Sequence, residues 1–104
     1  MAIDASYPSL KDKTVLITGG GSGIGEALTR AFIEQSAKVG FLDYDKAASE
    51  TLAAELDSPD LHFEYCDLRD IDALQAAVKA VSAKFGPIRI LVNNAARDDR
   101  HSCL

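Results

Sequence analysis

The sequence predicts an α/β fold: a doubly wound parallel sheet with the element order βαβαβαβ. Three observations predict it. Apolar runs of strand length alternate with longer segments whose apolar residues recur every three or four positions. Several of those runs are apolar at consecutive positions, as strands covered on both faces are. The first run also ends in Gly19-Gly-Gly-Ser-Gly-Ile-Gly25, directly before the first helical segment.

The elements follow in order. Thr14–Thr18 is a short, β-branched strand, and the glycine run leads into a helix with Ile24, Leu28, Ala31, Phe32 and Gln35 along one stripe. Lys38–Asp43 is the second strand, and Lys46–Leu56, dense in Ala, Leu and Glu, is a helix of strong formers. Ser58-Pro-Asp60 breaks that helix, and Leu61–Cys66 is the third strand. Asp70 is placed to cap a third helix, with Asp72 in its first turn and Ile71, Leu74, Val78, Val81 and Phe85 at helical spacing. Gly86-Pro87 ends it, and Ile88–Asn93 is the fourth strand.

Right-handed crossovers leave few ways to assemble such a chain. The order chosen is 3-2-1-4, one Rossmann-type half plus the first strand of a second, truncated half. The switch point then lies between the Thr18 and Asn93 strand ends, where ligands of open α/β sheets bind. Residues 1–12 read as a lead-in arm, 13–96 as the nucleotide-binding half-domain, and 97–104 as a tail.

Composition restricts function. The 104 residues are 47% hydrophobic and 26% charged, which suits one small folded domain. A net charge of -5 with scattered basic residues argues against nucleic acid and an acidic membrane surface as partners. Cys66 and Cys103 have no metal-like spacing to each other or to His62 and His101, and are read as free thiols in a reducing compartment. No run approaches membrane-spanning length and no signal-peptide core is visible, so the cytoplasm is the expected location.

The glycine run falls where a phosphate site belongs. A pyrophosphate must approach bare backbone, and the helix behind it offers unpaired N–H groups and partial positive charge. In this reading Gly19 permits the turn, Gly23 the approach, and Gly25 close contact between helix and strand. Asp43 stands 18 residues beyond Gly25, close to the roughly 20-residue spacing of the acid that binds an adenosine ribose. Its carboxylate would accept from both ribose hydroxyls and repel a 2′-phosphate, favouring NAD; the other reading is a loop acid or a cap for the next helix, a task Asp45 could also perform. Asp67 is either an acceptor for an adenine amino group or a turn residue before Asp70. Asn93 and Asn94 either tie two strand ends together beside the cofactor or form a turn. His62 is read as structural.

Taken in order, Thr18-Gly-Gly-Gly-Ser-Gly-Ile-Gly25, the Asp43 strand end, Cys66-Asp67-Leu68 and Asn93-Asn-Ala-Ala96 resemble the short-chain dehydrogenase/reductase family. The resemblance covers about Ser9 to Ala96. It implies cofactor contacts at Gly19, Ser22, Gly23, Ile24, Asp43, Asp67, Leu68, Asn93 and Ala95, with NAD as the cofactor. Ala96 stands where the family usually has Gly. Tyr7-Pro-Ser-Leu-Lys11 and Asp98-Asp-Arg-His101 are similar to bacterial xylose-oxidising members, which oxidise an aldose to a lactone.

Family catalysis uses a Ser and a Tyr-x-x-x-Lys unit, in which the Lys lowers the phenol's pKa. Both lie downstream of the Asn-Asn motif in the family. Tyr7 and Lys11 have that spacing, but in the lead-in arm. The expectation is therefore the NAD-binding N-terminal portion of an oxidoreductase, without turnover of its own, and without the family's usual oligomerising region. A stand-alone nucleotide-binding or interaction module is the alternative. The fourth strand is expected to present an open edge.

Overall fold

A computed structural model describes residues 10–21 and 23–94 of the chain. Seven elements alternate as expected: β1 (Thr14–Thr18), α1 (Gly23–Glu34), β2 (Lys38–Asp43), α2 (Lys46–Leu56), β3 (Leu61–Tyr65), α3 (Ile71–Phe85) and β4 (Ile88–Asn93). They form one four-stranded sheet in the order β3-β2-β1-β4, with every pairing parallel. β1 is the axis: all five of its residues are buried, and it bonds to β2 on one side and β4 on the other.

The uniform apolarity of β1 and β2 follows from having helices on both faces. Val15, Ile17, Val39, Phe41 and Leu61 pack under α1 and α2, which contribute Leu28, Phe32, Leu52 and Leu56. Leu16, Leu42 and Cys66 face the other way and meet Ala77, Val81, Leu74 and Phe85 of α3. The Phe41 and Phe63 rings stack at 5.1 Å between centroids, joining β2 to β3 on the α1/α2 face. Opposite them, α3 settles close onto β2 because residue 40 is glycine. A Cβ there would lie 2.6 Å from both Val81 methyls.

Local chemistry sets the element ends. Asp45 caps α2 by accepting from the Ala48 N–H at 3.1 Å, and Asp70 caps α3 through the Ala73 N–H at 3.1 Å. α2 stops at Asp57, which takes a left-handed conformation (φ 44°), and α3 at Gly86 (φ 100°). The two faces of the α1–α2 pair are also bridged on the surface, where Arg30 contacts both Glu26 and Glu55.

Two expectations need correction, and the open edge of β4 is as expected. β3 ends at Tyr65, one residue before the expected Cys66: the Cys66 N–H still bonds to the Asp43 carbonyl at 3.1 Å, but the chain then turns, with Asp70 N–H on the Asp67 carbonyl at 3.0 Å. Ile24 and Ile71, assigned to apolar stripes, are 67% and 60% exposed. Each lies in the first turn of its helix, at the carboxyl edge of the sheet, where no strand lies beneath it. β4 pairs only with β1 among the described residues, and Leu91 on it is 62% exposed.

The β2–α3 contact yields a stability prediction. Gly40→Ala should cost about 1–3 kcal/mol by overpacking against Val81. The double variant Gly40→Ala/Val81→Ala should lose less than the two single losses combined, because the smaller residue 81 vacates the space. Denaturant melts of the four proteins check this; strict additivity would contradict it.

Candidate functional site

The carboxyl ends of β1, β2 and β4 meet around the glycine run, as the strand order requires. Gly19 leaves β1 with φ 72°, a conformation that costs a glycine little. Its N–H bonds to the Leu42 carbonyl at 2.7 Å, so the turn starts while still paired to β2. α1 then begins immediately behind the loop. A Cβ on Gly25 would lie 1.7 Å from the Gly19 carbonyl oxygen and 2.9 Å from Asn94 Nδ2. Gly25 therefore lets the helix start press against the loop's own first residue and against β4's exit, rather than against the strand as expected. Gly23 has φ 60° and open space where its Cβ would be. That leaves bare backbone facing outward, beside helix N–H groups that have no intrahelical acceptor.

The Asn-Asn pair performs the tying role. The Thr18 hydroxyl donates to Asn93 Oδ1 at 2.9 Å, and Asn94 Nδ2 donates to the Gly19 carbonyl at 3.0 Å. Both amides thus fasten β4 to the point where β1 becomes loop. The turn reading of these residues is set aside for these two contacts.

Asp43 is 7% exposed at the end of β2. Oδ2 accepts from the Gly21 N–H at 3.0 Å and Oδ1 from the Asp45 N–H at 2.9 Å. The carboxylate is thereby oriented by one bond to the glycine loop and one to the turn before α2. The capping task itself falls to Asp45.

Asp67 lies just beyond β3, and Arg69 engages its carboxylate. Arg69 reaches it through its backbone N–H (3.0 Å), Nε (3.0 Å) and Nη2 (2.9 Å). The Arg69 side-chain and backbone donors hold the Asp67 carboxyl down at about 2. Leu68 beside it is partly buried, packed against the α3 core. Ser22 and Ala95, implied by the family resemblance, lie outside the described residues, as do Cys103 and His101.

Two residues at the site were not anticipated. Thr29, fully buried on α1, donates within reach of the Gly20 carbonyl (3.1 Å) and the Gly25 carbonyl (2.9 Å), tying the loop to the helix. Its signal was available: a Thr one turn after the last loop glycine, on the helix's buried stripe. Ser49, fully buried on α2, lies behind Gly21. Nothing in the sequence marks it, because its neighbour is brought to it only by folding. Cys66 is buried, and desolvation, with Asp67 adding to it, pushes its thiol pKa up, which makes it an unreactive core residue. His62 bonds to Glu64 at 2.8 Å on the α3 side of the sheet, in keeping with a structural role. Among the described residues no group of His, Cys, Asp and Glu could hold a metal, and no helix is long and apolar enough to cross a membrane.

Comparison with known proteins agrees with this architecture. The family model described as short chain dehydrogenase matches residues 13–103. Over 102 residues the chain is 47% identical to a probable galactose dehydrogenase of Rhizobium meliloti, covering 94% of this chain and 40% of that protein. It is 50% identical over 99 residues to the D-xylose 1-dehydrogenase of Caulobacter vibrioides, covering 93% of this chain and 38% of that one. The chain thus spans about 40% of the length of these relatives. Among solved structures it is similar to a 3-ketoacyl-(acyl-carrier-protein) reductase from Brucella melitensis complexed with NADH. That match has a TM-score of 0.74 at 39% identity, over 79% of this chain and 34% of the other.

Two predictions arise from these contacts. Thr29→Val should leave the Gly20 carbonyl short of a donor and cost about 1–3 kcal/mol in a denaturant melt; an unchanged midpoint would show that the bond holds nothing. For Asp67, the folded pKa of about 2 lies below its ordinary 3.8, so the Arg69 contact favours folding above pH 4 and loses effect as pH falls towards 2. The exposure of both groups keeps that contribution small. Carboxyl NMR titration should return Asp67 to its ordinary range in Arg69→Ala.

Proposed function

The chain belongs to the short-chain dehydrogenase family, and from that premise we propose that its glycine loop and the Asp43 strand end form the dinucleotide site of an NAD-dependent oxidoreductase. The protein of which these residues are the binding half would take hydride from a hydroxyl of an alcohol or, more narrowly, an aldose. The observation that carries the reading is Asp43, a buried carboxylate fixed against the glycine loop by the Gly21 and Asp45 N–H groups.

The residues present fit such a cofactor. Bare backbone at Gly23 and the first turn of α1 would receive the pyrophosphate through N–H donors. Asp43 keeps acceptor capacity after its two backbone bonds, since an ionised carboxylate has about four lone-pair sites. Those remaining sites suit a ribose diol, and the same charge repels a 2′-phosphate. Ile24, exposed at the start of α1, offers an apolar surface at the rim. The Asn93 and Asn94 amides hold β4 at a fixed distance from the loop and so set the width of the crevice. Ser22, Leu68 and Ala95 complete the proposed contact set, and Asp67 joins it by sharing its carboxylate between Arg69 and an adenine amino group. When bound, the nicotinamide supplies the hydride acceptor.

The role proposed for the described residues is to bind and orient the cofactor. The aldose assignment is supported by the galactose and xylose dehydrogenases among the relatives. The location proposed is the cytoplasm.

Titration of NADH fluorescence tests the reading. NADH should bind the chain at least about tenfold more tightly than NADPH, one charge repulsion or lost hydrogen bond being worth that much. Asp43→Ala should weaken NADH and narrow the gap. Equal affinity for both cofactors in the unaltered chain would overturn the assignment to NAD.

A further inference from the structure

The Ser49 hydroxyl is fully buried, and it is the one buried side-chain polar atom among the described residues that has no hydrogen-bond partner. Its surroundings locate it within the cofactor site. A Cβ built on Gly21 would lie 2.2 Å from Ser49 Oγ and 3.0 Å from Asp43 Oδ2, so the hydroxyl and the carboxylate crowd the same point behind the loop. Ser49's own backbone is already committed, its N–H donating to the Asp45 carbonyl at 3.1 Å. Only the side chain is uncommitted.

An unsatisfied buried hydroxyl is destabilising, and alanine would avoid that cost at the same size. The neighbour able to use a donor is Asp43. Oδ2 holds one hydrogen bond, from the Gly21 N–H, and that donor belongs to the loop a dinucleotide approaches. A ligand oxygen that draws the Gly21 N–H outward strips Oδ2 of its donor while the carboxylate stays buried and charged. Burial makes such a loss costly.

We infer that Ser49 is a positioning residue for Asp43: its hydroxyl takes over as donor to Oδ2 when the Gly21 N–H turns to the bound dinucleotide. The exchange conserves the number of hydrogen bonds on the carboxylate and keeps it aimed at the ribose. It also explains why Gly21 must lack a side chain, since a methyl group would occupy the path between Ser49 and Asp43. Ser49 touches neither substrate nor cofactor in this scheme; it acts through Asp43. The inference rests on the proposed NAD site.

The experiment measures NADH and NADPH affinity by fluorescence, and thermal melting without ligand, for the full chain, Ser49→Ala, Asp43→Ala and the double variant. Ser49→Ala should melt at or above the temperature of the unaltered chain, because an orphan hydroxyl has been removed. Its NADH affinity should fall about tenfold, as expected for a lost hydrogen bond to a charged group, with little change for NADPH. In the Asp43→Ala background the same substitution should have no further effect. Unaltered NADH affinity in Ser49→Ala overturns the inference and leaves the NAD site standing. A lowered melting temperature with equal loss for both cofactors overturns it in favour of a packing role. Failure of the unaltered chain to bind NADH overturns the site itself, and this inference with it.

Discussion

The contact between Gly25 and the Gly19 carbonyl is the constraint on which the rest of the site depends. It lets α1 start almost on top of the end of β1, where a Cβ at position 25 would lie 1.7 Å from the Gly19 carbonyl oxygen. Because the helix starts there, its first N–H groups open onto the same crevice as the glycine backbone. The same closeness brings Thr29 under the loop, where its hydroxyl reaches the Gly20 carbonyl of the loop and the Gly25 carbonyl in the first turn of α1. Asn94 Nδ2 also donates to the Gly19 carbonyl, so one backbone oxygen is shared between the helix approach and the fastening of β4. A side chain at position 25 would therefore displace a helix, a loop and a strand end together.

Electrostatics at the rim is arranged in a graded way. Asp43 is buried and pairs with no cation among the described residues; two backbone N–H donors hold it. Asp67, further along the rim, is half-buried and paired with Arg69, which occupies it on both oxygens. The two acids thus differ in what they offer a ligand. Asp43 is held by backbone donors, while Asp67 is engaged by the side chain of Arg69.

Much of this was legible in the chain. The bounds of β1, β2, α2 and β4, the strand order, and the caps at Asp45 and Asp70 follow from period, β-branching and turn chemistry, which are local properties. The acid at the end of β2 and the glycine run were legible for the same reason: their spacing follows from the length of one helix and one strand. Ile24 and Ile71 were misplaced because a helical stripe says which residues share a face, and not where the sheet beneath that face ends.

The sequence by itself determined the alternation of elements, the parallel sheet and the family, since each depends on residues near one another along the chain or on ordered motifs. Only the tertiary structure decided how Asp43 is oriented, that the Asn93 and Asn94 amides fasten β4 to β1, and that Ser49 stands behind Gly21. Those contacts join residues 22, 75 and 28 positions apart. No periodicity spans such distances. They arise when the crossovers bring three strand ends and two helix starts to one edge of the sheet.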